Sequence, residues 1–69
     1  MVNILEICLT DLINKKNLLE GELERIVNDG NMETEQKFTK TLELVDKISN
    51  IYRSIDLINT YIIKNNKET

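Results

Sequence analysis

A chain of 69 residues has room for one small domain, which would bury only about 60% of the surface its unfolded form exposes. Cys8 is the only cysteine and histidine is absent, which excludes an internal disulfide and zinc sites built on Cys and His. Asp and Glu number 12 against 9 Lys and Arg, for a net charge of −3, and Lys15-Lys16 is the only basic pair, so nucleic acid is not an expected partner.

A fold this small that lacks disulfide and metal relies on regular helix packing or on self-association. The opening stretch Met1 to Leu9 is apolar but carries Glu6, with Asp11 close behind. It has no basic leader before it and no small-residue cleavage site after it, so it does not read as a signal peptide. Leu57 to Ile63, the longest nearly uncharged run, is far short of the ~20 apolar residues that span a bilayer. These features suggest a soluble, cytoplasmic protein with no membrane span.

The first predicted helix covers about 4–28. Asn3 suits its N-cap, with Glu6 at the capping-box position and Val2 and Ile7 at the staple positions. Leu5, Leu9, Leu12, Lys16, Leu19, Leu23 and Ile26 then follow in steps of four and three, a heptad seam with Lys16 as its one polar member. Gly21 costs about 1 kcal/mol in a helix interior, too little to break a helix whose seam continues on both sides. A break at Asn14-Lys15-Lys16-Asn17, with Asn17 capping a new helix, is the alternative.

Asn28-Asp29-Gly30-Asn31 is the one clear cluster of turn formers in a chain without proline. Gly30 suits a left-handed position past the first helix, and Asn31 suits the N-cap of the next.

The second predicted helix covers about 32–64, with 65–69 a frayed tail of a single domain spanning 1–69. Its seam is Lys37, Thr41, Leu44, Ile48, Ile51, Ile55, Ile58 and Ile62. Phe38, Val45, Tyr52 and Ile63 form a second row beside it. The two rows span roughly 160° of the helix, wider than the ~100° stripe that one neighbour covers.

Folding at Gly30 pairs residues whose numbers sum to about 60, because both helices rise ~1.5 Å per residue. Ile48 then faces Leu12, Ile51 faces Leu9 and Ile55 faces Leu5, and Leu57 to Ile63 overhang the first helix. Contiguous exposed apolar surface of this kind marks an interface. The expected interface residues are Leu44, Ile48, Ile51, Tyr52, Ile55, Leu57, Ile58, Tyr61, Ile62 and Ile63. The expected fold is an all-α antiparallel two-helix hairpin that dimerises into a four-helix bundle, with Lys16 helping to fix its register.

Catalysis finds no foothold in the residues. No histidine accompanies Ser49 or Ser54, and no phosphate or calcium loop is present. Cys8, beside the Leu5–Leu9 seam, reads as a buried structural thiol. Pairs such as Glu20/Glu24, Glu22/Arg25 and Glu43/Lys47 have helix-surface spacing and read as solvated faces. No catalytic, cofactor-binding or metal-ligating residue is assigned, and no cofactor is expected.

The run Ser54-Ile55-Asp56-Leu57 carries one resemblance. In size and hairpin plan the chain resembles the short sporulation phosphatases, which act on aspartyl-phosphate response regulators and carry Ser-Gln-x-Leu-Asp on their second helix. The likeness implies a phosphatase-like effector, but the glutamine is missing and the Ser-to-Asp spacing is shorter, so Asp56 receives no role from it. The preferred reading is a non-enzymatic helical interaction module: a regulator, adaptor or inhibitor whose partner is itself or another helical protein. A subunit of a larger helical complex and a phage or viral antagonist of a host protein are further alternatives.

Overall fold

A computed structural model describes residues 3–67, and these form two helices, α1 (Ile4–Val27) and α2 (Thr34–Lys67), with no strand among the described residues. The helices pack against each other along their length. Val27 lies beside Thr34 and Phe38 at one end, and Ile7 lies beside Leu57 and Ile58 at the other, so they run antiparallel. The result is a rod of 54 × 18 × 13 Å.

Helix α1 starts as its sequence dictates. Asn3 is extended (φ −74°, ψ 126°), and its side-chain oxygen accepts from the Leu5 N–H at 2.8 Å. Its carbonyl accepts from Glu6 at 3.0 Å and Ile7 at 3.2 Å, so the first turn is satisfied. Val2, the expected staple partner of Ile7, lies outside the described residues. The helix passes through 14–17 and through Gly21 without a break. A Cβ at Gly21 would meet nothing within 4 Å, so its glycine answers no packing demand.

The connector differs from expectation in two ways. No glycine and no other described residue has positive φ, so Gly30 does not supply a left-handed cap. The helix closes instead with Asn28 N–H donating to Glu24 O and Asp29 N–H donating to Ile26 O, both at 3.1 Å, a tightened last turn. Nor does Asn31 cap α2. The Asp29 carboxylate accepts from Asn31 N–H at 2.9 Å, an Asx turn that occupies the space where the helix was expected to begin. The first bond of α2 is accepted by the Glu33 carbonyl, from Lys37 N–H at 2.9 Å. At its other end α2 continues to Lys67, three residues past the expected limit, since no glycine or proline follows Gly30 to end it.

The later start of α2 shifts the register. Leu19 and Ile26 share a concavity with Leu44 and Lys47, Lys16 lies over Tyr52, and Ile7 and Leu12 share a groove with Leu57 and Ile58. Helix α1 therefore still lies alongside residues 57 and 58, where the shorter connector had it ending. The seams themselves hold at every position. Leu5, Leu9, Leu12, Lys16, Leu19 and Leu23 are half-buried and Ile26 is buried. On α2, Leu44 and Ile48 are buried, and Lys37, Thr41, Ile51, Ile55, Ile58 and Ile62 are half-buried. Every side chain that reaches the buried class belongs to these two rows.

Candidate functional site

A single layer of two helices has no third element to close its sides, and the apolar residues beside the seams are left in the open. On the end opposite the connector, Ile7, Cys8, Asp11 and Leu12 of α1 and Ser54, Leu57 and Ile58 of α2 line an open groove of about 620 Å³. Its walls are set by helical spacing. Leu12 and Ile58 belong to the seams, while Cys8 and Leu57 sit one step round each helix toward the same side. Ile4 lies three residues before Ile7, and Tyr61 four after Leu57, so both extend the flanks of this groove. Ile4, Ile7, Leu57 and Tyr61 are all at least half exposed or close to it, from 49% to 68%.

Cys8 is exposed here, against the expectation of a buried thiol. It stands on the flank of the α1 seam, and only an additional element could cover it.

Toward the connector the same side turns polar. Leu19, Ile26 and Leu44 lie at the bottom of a smaller concavity that Glu22, Lys40, Glu43 and Lys47 surround. Charge is thus unevenly divided along the rod: the open-end groove has Asp11, paired with Lys15, as its one charged lining residue, and the concavity near the connector is ringed by charges of both signs.

The other side of the hairpin carries Tyr52, which lies two residues and so about 200° of helix rotation from Ser54. The Tyr52 hydroxyl donates to Glu20 Oε2 at 2.9 Å, the only side-chain hydrogen bond between the helices among the described residues. Lys16 Nζ lies 3.7 Å from Glu20 Oε1 and 5.3 Å from the Tyr52 ring centroid. The polar member of the α1 seam therefore finds partners within one hairpin. Val27 and Phe38 line a shallow concavity with Thr34, Lys37 and Thr41 on this side.

The ten expected interface residues divide accordingly. Leu44 and Ile48 are buried between α1 and α2, and Ile51, Ile55, Ile58 and Ile62 are half-buried along the same seam. Tyr52 is tied to Glu20. Leu57, Tyr61 and Ile63 remain exposed. The overhang begins later than the sequence placed it, because Ile7 and Leu12 of α1 lie beside Leu57 and Ile58. Ile7, Cys8 and Leu12 of α1, which the sequence reading left out of the interface, complete the groove. The signal for them was Ile4 and Ile7, a short second apolar row confined to the first two turns of α1.

Polar chemistry on the surface is local. Asp11 and Lys15 pair at 2.9 Å and Glu22 and Arg25 at 4.0 Å, each within one helix turn. Ser54 donates its hydroxyl proton to the Asn50 carbonyl at 3.1 Å. Asp56, two residues on, faces the opposite flank of α2. Among the described residues no three His, Cys, Asp or Glu side chains converge as a metal-holding group, and no helix is long and apolar enough to cross a membrane. Compared with known proteins, the chain matches no family model, no curated protein and no solved structure.

Proposed function

We propose that this chain is a non-enzymatic protein–protein interaction module whose hairpin self-associates, two copies forming a four-helix bundle. One observation carries the reading. Among the described residues Ile26, Leu44 and Ile48 are buried, whereas twelve large apolar side chains, among them Ile4, Leu18, Phe38 and Leu57, lie exposed. Each aliphatic side chain that moves from water into a packed contact contributes about 1.5–3 kcal/mol, so a second layer of helices recovers stabilisation that one hairpin forgoes. The described surface offers apolar area and solvating charge, which suits a regulator, adaptor or inhibitor that docks by helix faces.

Sedimentation equilibrium over a wide concentration range, with helicity followed by circular dichroism, tests this. The expected result is a mass of two chains and a melting temperature that rises with concentration. A folded species of single-chain mass at every concentration overturns self-association.

A further inference from the structure

We infer that the groove at the open end is the self-association surface, and that its occupant is the same groove of a second copy, related by a twofold axis along the length of the rod. The inference rests on the self-association proposed above and goes further in assigning the face, the orientation and the residues.

Area supports an occupant the size of a helix pair. The chain exposes 5569 Å². A compact monomer of its 8.1 kDa mass exposes roughly 4,500 Å². The excess, about 1,000 Å², is on the scale of the ~800 Å² that one partner contributes to a standard interface.

Charge selects the face. Around Tyr52 the surface is acidic on balance: Glu20 and Glu24 on α1 and Asp56 on α2 stand against Lys16, which is already paired with Glu20. Self-packing there brings an excess of carboxylates together from both copies. On the groove side α1 presents Glu22 and α2 presents Lys40, Glu43 and Lys47 around one concavity, two charges of each sign. A twofold along the rod places α1 of each copy against α2 of the other at the same level, so Glu22 comes level with Glu43 of the other copy, with Lys40 and Lys47 one turn to either side to bridge both carboxylates.

The same division of charge selects the orientation. With like ends together, Ile7 and Leu57 of one copy meet Leu57 and Ile7 of the other, and Cys8 is covered. Turned end to end, those apolar side chains would be laid on Glu22, Lys40 and Lys47, leaving the charges desolvated and unpaired.

The experiment uses the full chain. Ile7 and Leu57 are 49% and 58% exposed, so Ile7→Asp and Leu57→Asp leave the hairpin seam intact, a point circular dichroism checks at high concentration. Each is expected to weaken dimerisation at least tenfold by sedimentation, with Phe38→Asp on the opposite side without effect. Orientation is read by pulsed electron resonance on a spin label at Gly30→Cys in a Cys8→Ser background, a position where an added Cβ meets nothing within 4 Å. Two helix layers pack about 10 Å apart, so like ends together give label separations of roughly 20 Å. End-to-end packing gives more than the roughly 36 Å length of the 24-residue α1. A wild-type chain that is monomeric throughout overturns self-association and this inference together. A dimer indifferent to Ile7→Asp and Leu57→Asp, or one split by Phe38→Asp, overturns the assignment of the groove alone, and a long label distance overturns the orientation.

Discussion

The ammonium of Lys16 lies 5.3 Å from the centroid of the Tyr52 ring, and the Tyr52 hydroxyl donates to Glu20 one turn further along α1. One aromatic side chain thus closes over both polar residues of α1 that approach the seam. Tyr52→Phe keeps the ring under Lys16 and removes only the hydrogen bond. It is expected to cost about 0.5–1 kcal/mol, less than the ~1.5–3 kcal/mol of a buried bond to a charged group because Glu20 is partly solvated. Tyr52→Ala also removes the cation–π contact, worth about 0.5–1 kcal/mol at an exposed site, together with the buried part of the ring. Urea denaturation of the three proteins checks the order, and equal midpoints for wild type and Tyr52→Phe would show that the bond adds nothing.

Ile26 is 1% exposed and is the most deeply buried side chain in the hairpin. Ile26→Ala is expected to destabilise by about 2–4 kcal/mol, a large share of what a domain this size possesses. Leu18, 76% exposed on the same helix, sets the contrast. Leu18→Ala is expected to change stability by less than about 0.5 kcal/mol. Chemical denaturation at fixed protein concentration measures both, and comparable losses would mean that Leu18 is covered in solution by something beyond the hairpin.

The glycines make opposite demands on the two readings of the chain. Gly21 sits inside α1 with open space where a Cβ would go, so Gly21→Ala is expected to stabilise by about 0.5–1 kcal/mol. Gly30 has no left-handed φ and no close neighbour, so Gly30→Ala is expected to be nearly neutral. Had the residue been left-handed, alanine there would cost about 1 kcal/mol or more. Thermal melts of the two variants decide the point, and a clear loss in Gly30→Ala would restore the left-handed turn.

Cys8 reports on the proposed dimer without any added label. Its thiol is exposed in the hairpin and would be covered in the proposed assembly. Its reaction with a bulky disulfide reagent is expected to slow as protein concentration rises through the association range. In Leu57→Asp the rate is expected to stay fast at all concentrations. A thiol that reacts at one rate regardless of concentration places Cys8 outside the interface.

The two seams were legible residue by residue because burial follows a period that composition cannot hide. Leu5 through Ile26 and Lys37 through Ile62 are the rows that meet. The Asn3 cap was equally legible, since an asparagine side chain before an apolar row has one nearby set of N–H groups to accept from. The register was not. It depends on where α2 starts, and that was decided by Asp29 capturing the Asn31 N–H, one local bond among several that Asn28 to Asn31 could form. A few residues of extra connector then moved every facing pair and brought Leu57 and Ile58 alongside α1. The exposure of Cys8 was hidden for another reason: a thiol beside a seam is covered only if a further layer exists, and one hairpin supplies none. The groove escaped notice because its residues come from both helices, and which residues meet is itself a matter of register.

These corrections change which side chains suit mutagenesis. Ile58 and Ile62 are half-buried between α1 and α2. Aspartate at either position therefore strikes the hairpin itself, and only residues on the exposed flanks separate association from folding.

Apart from Asp29, whose carboxylate accepts from the Asn31 N–H, the connector between the helices holds no described residue in a left-handed conformation and no proline, so its other positions are not reserved for one amino acid. It behaves as a tether, and its contribution is the effective concentration at which α1 meets α2. Lengthening a flexible loop to twice its size costs only about 0.6 kcal/mol of closure entropy. The link could therefore carry inserted residues, such as an epitope or a recognition peptide, while the paired rows of leucine and isoleucine continue to specify how the helices dock.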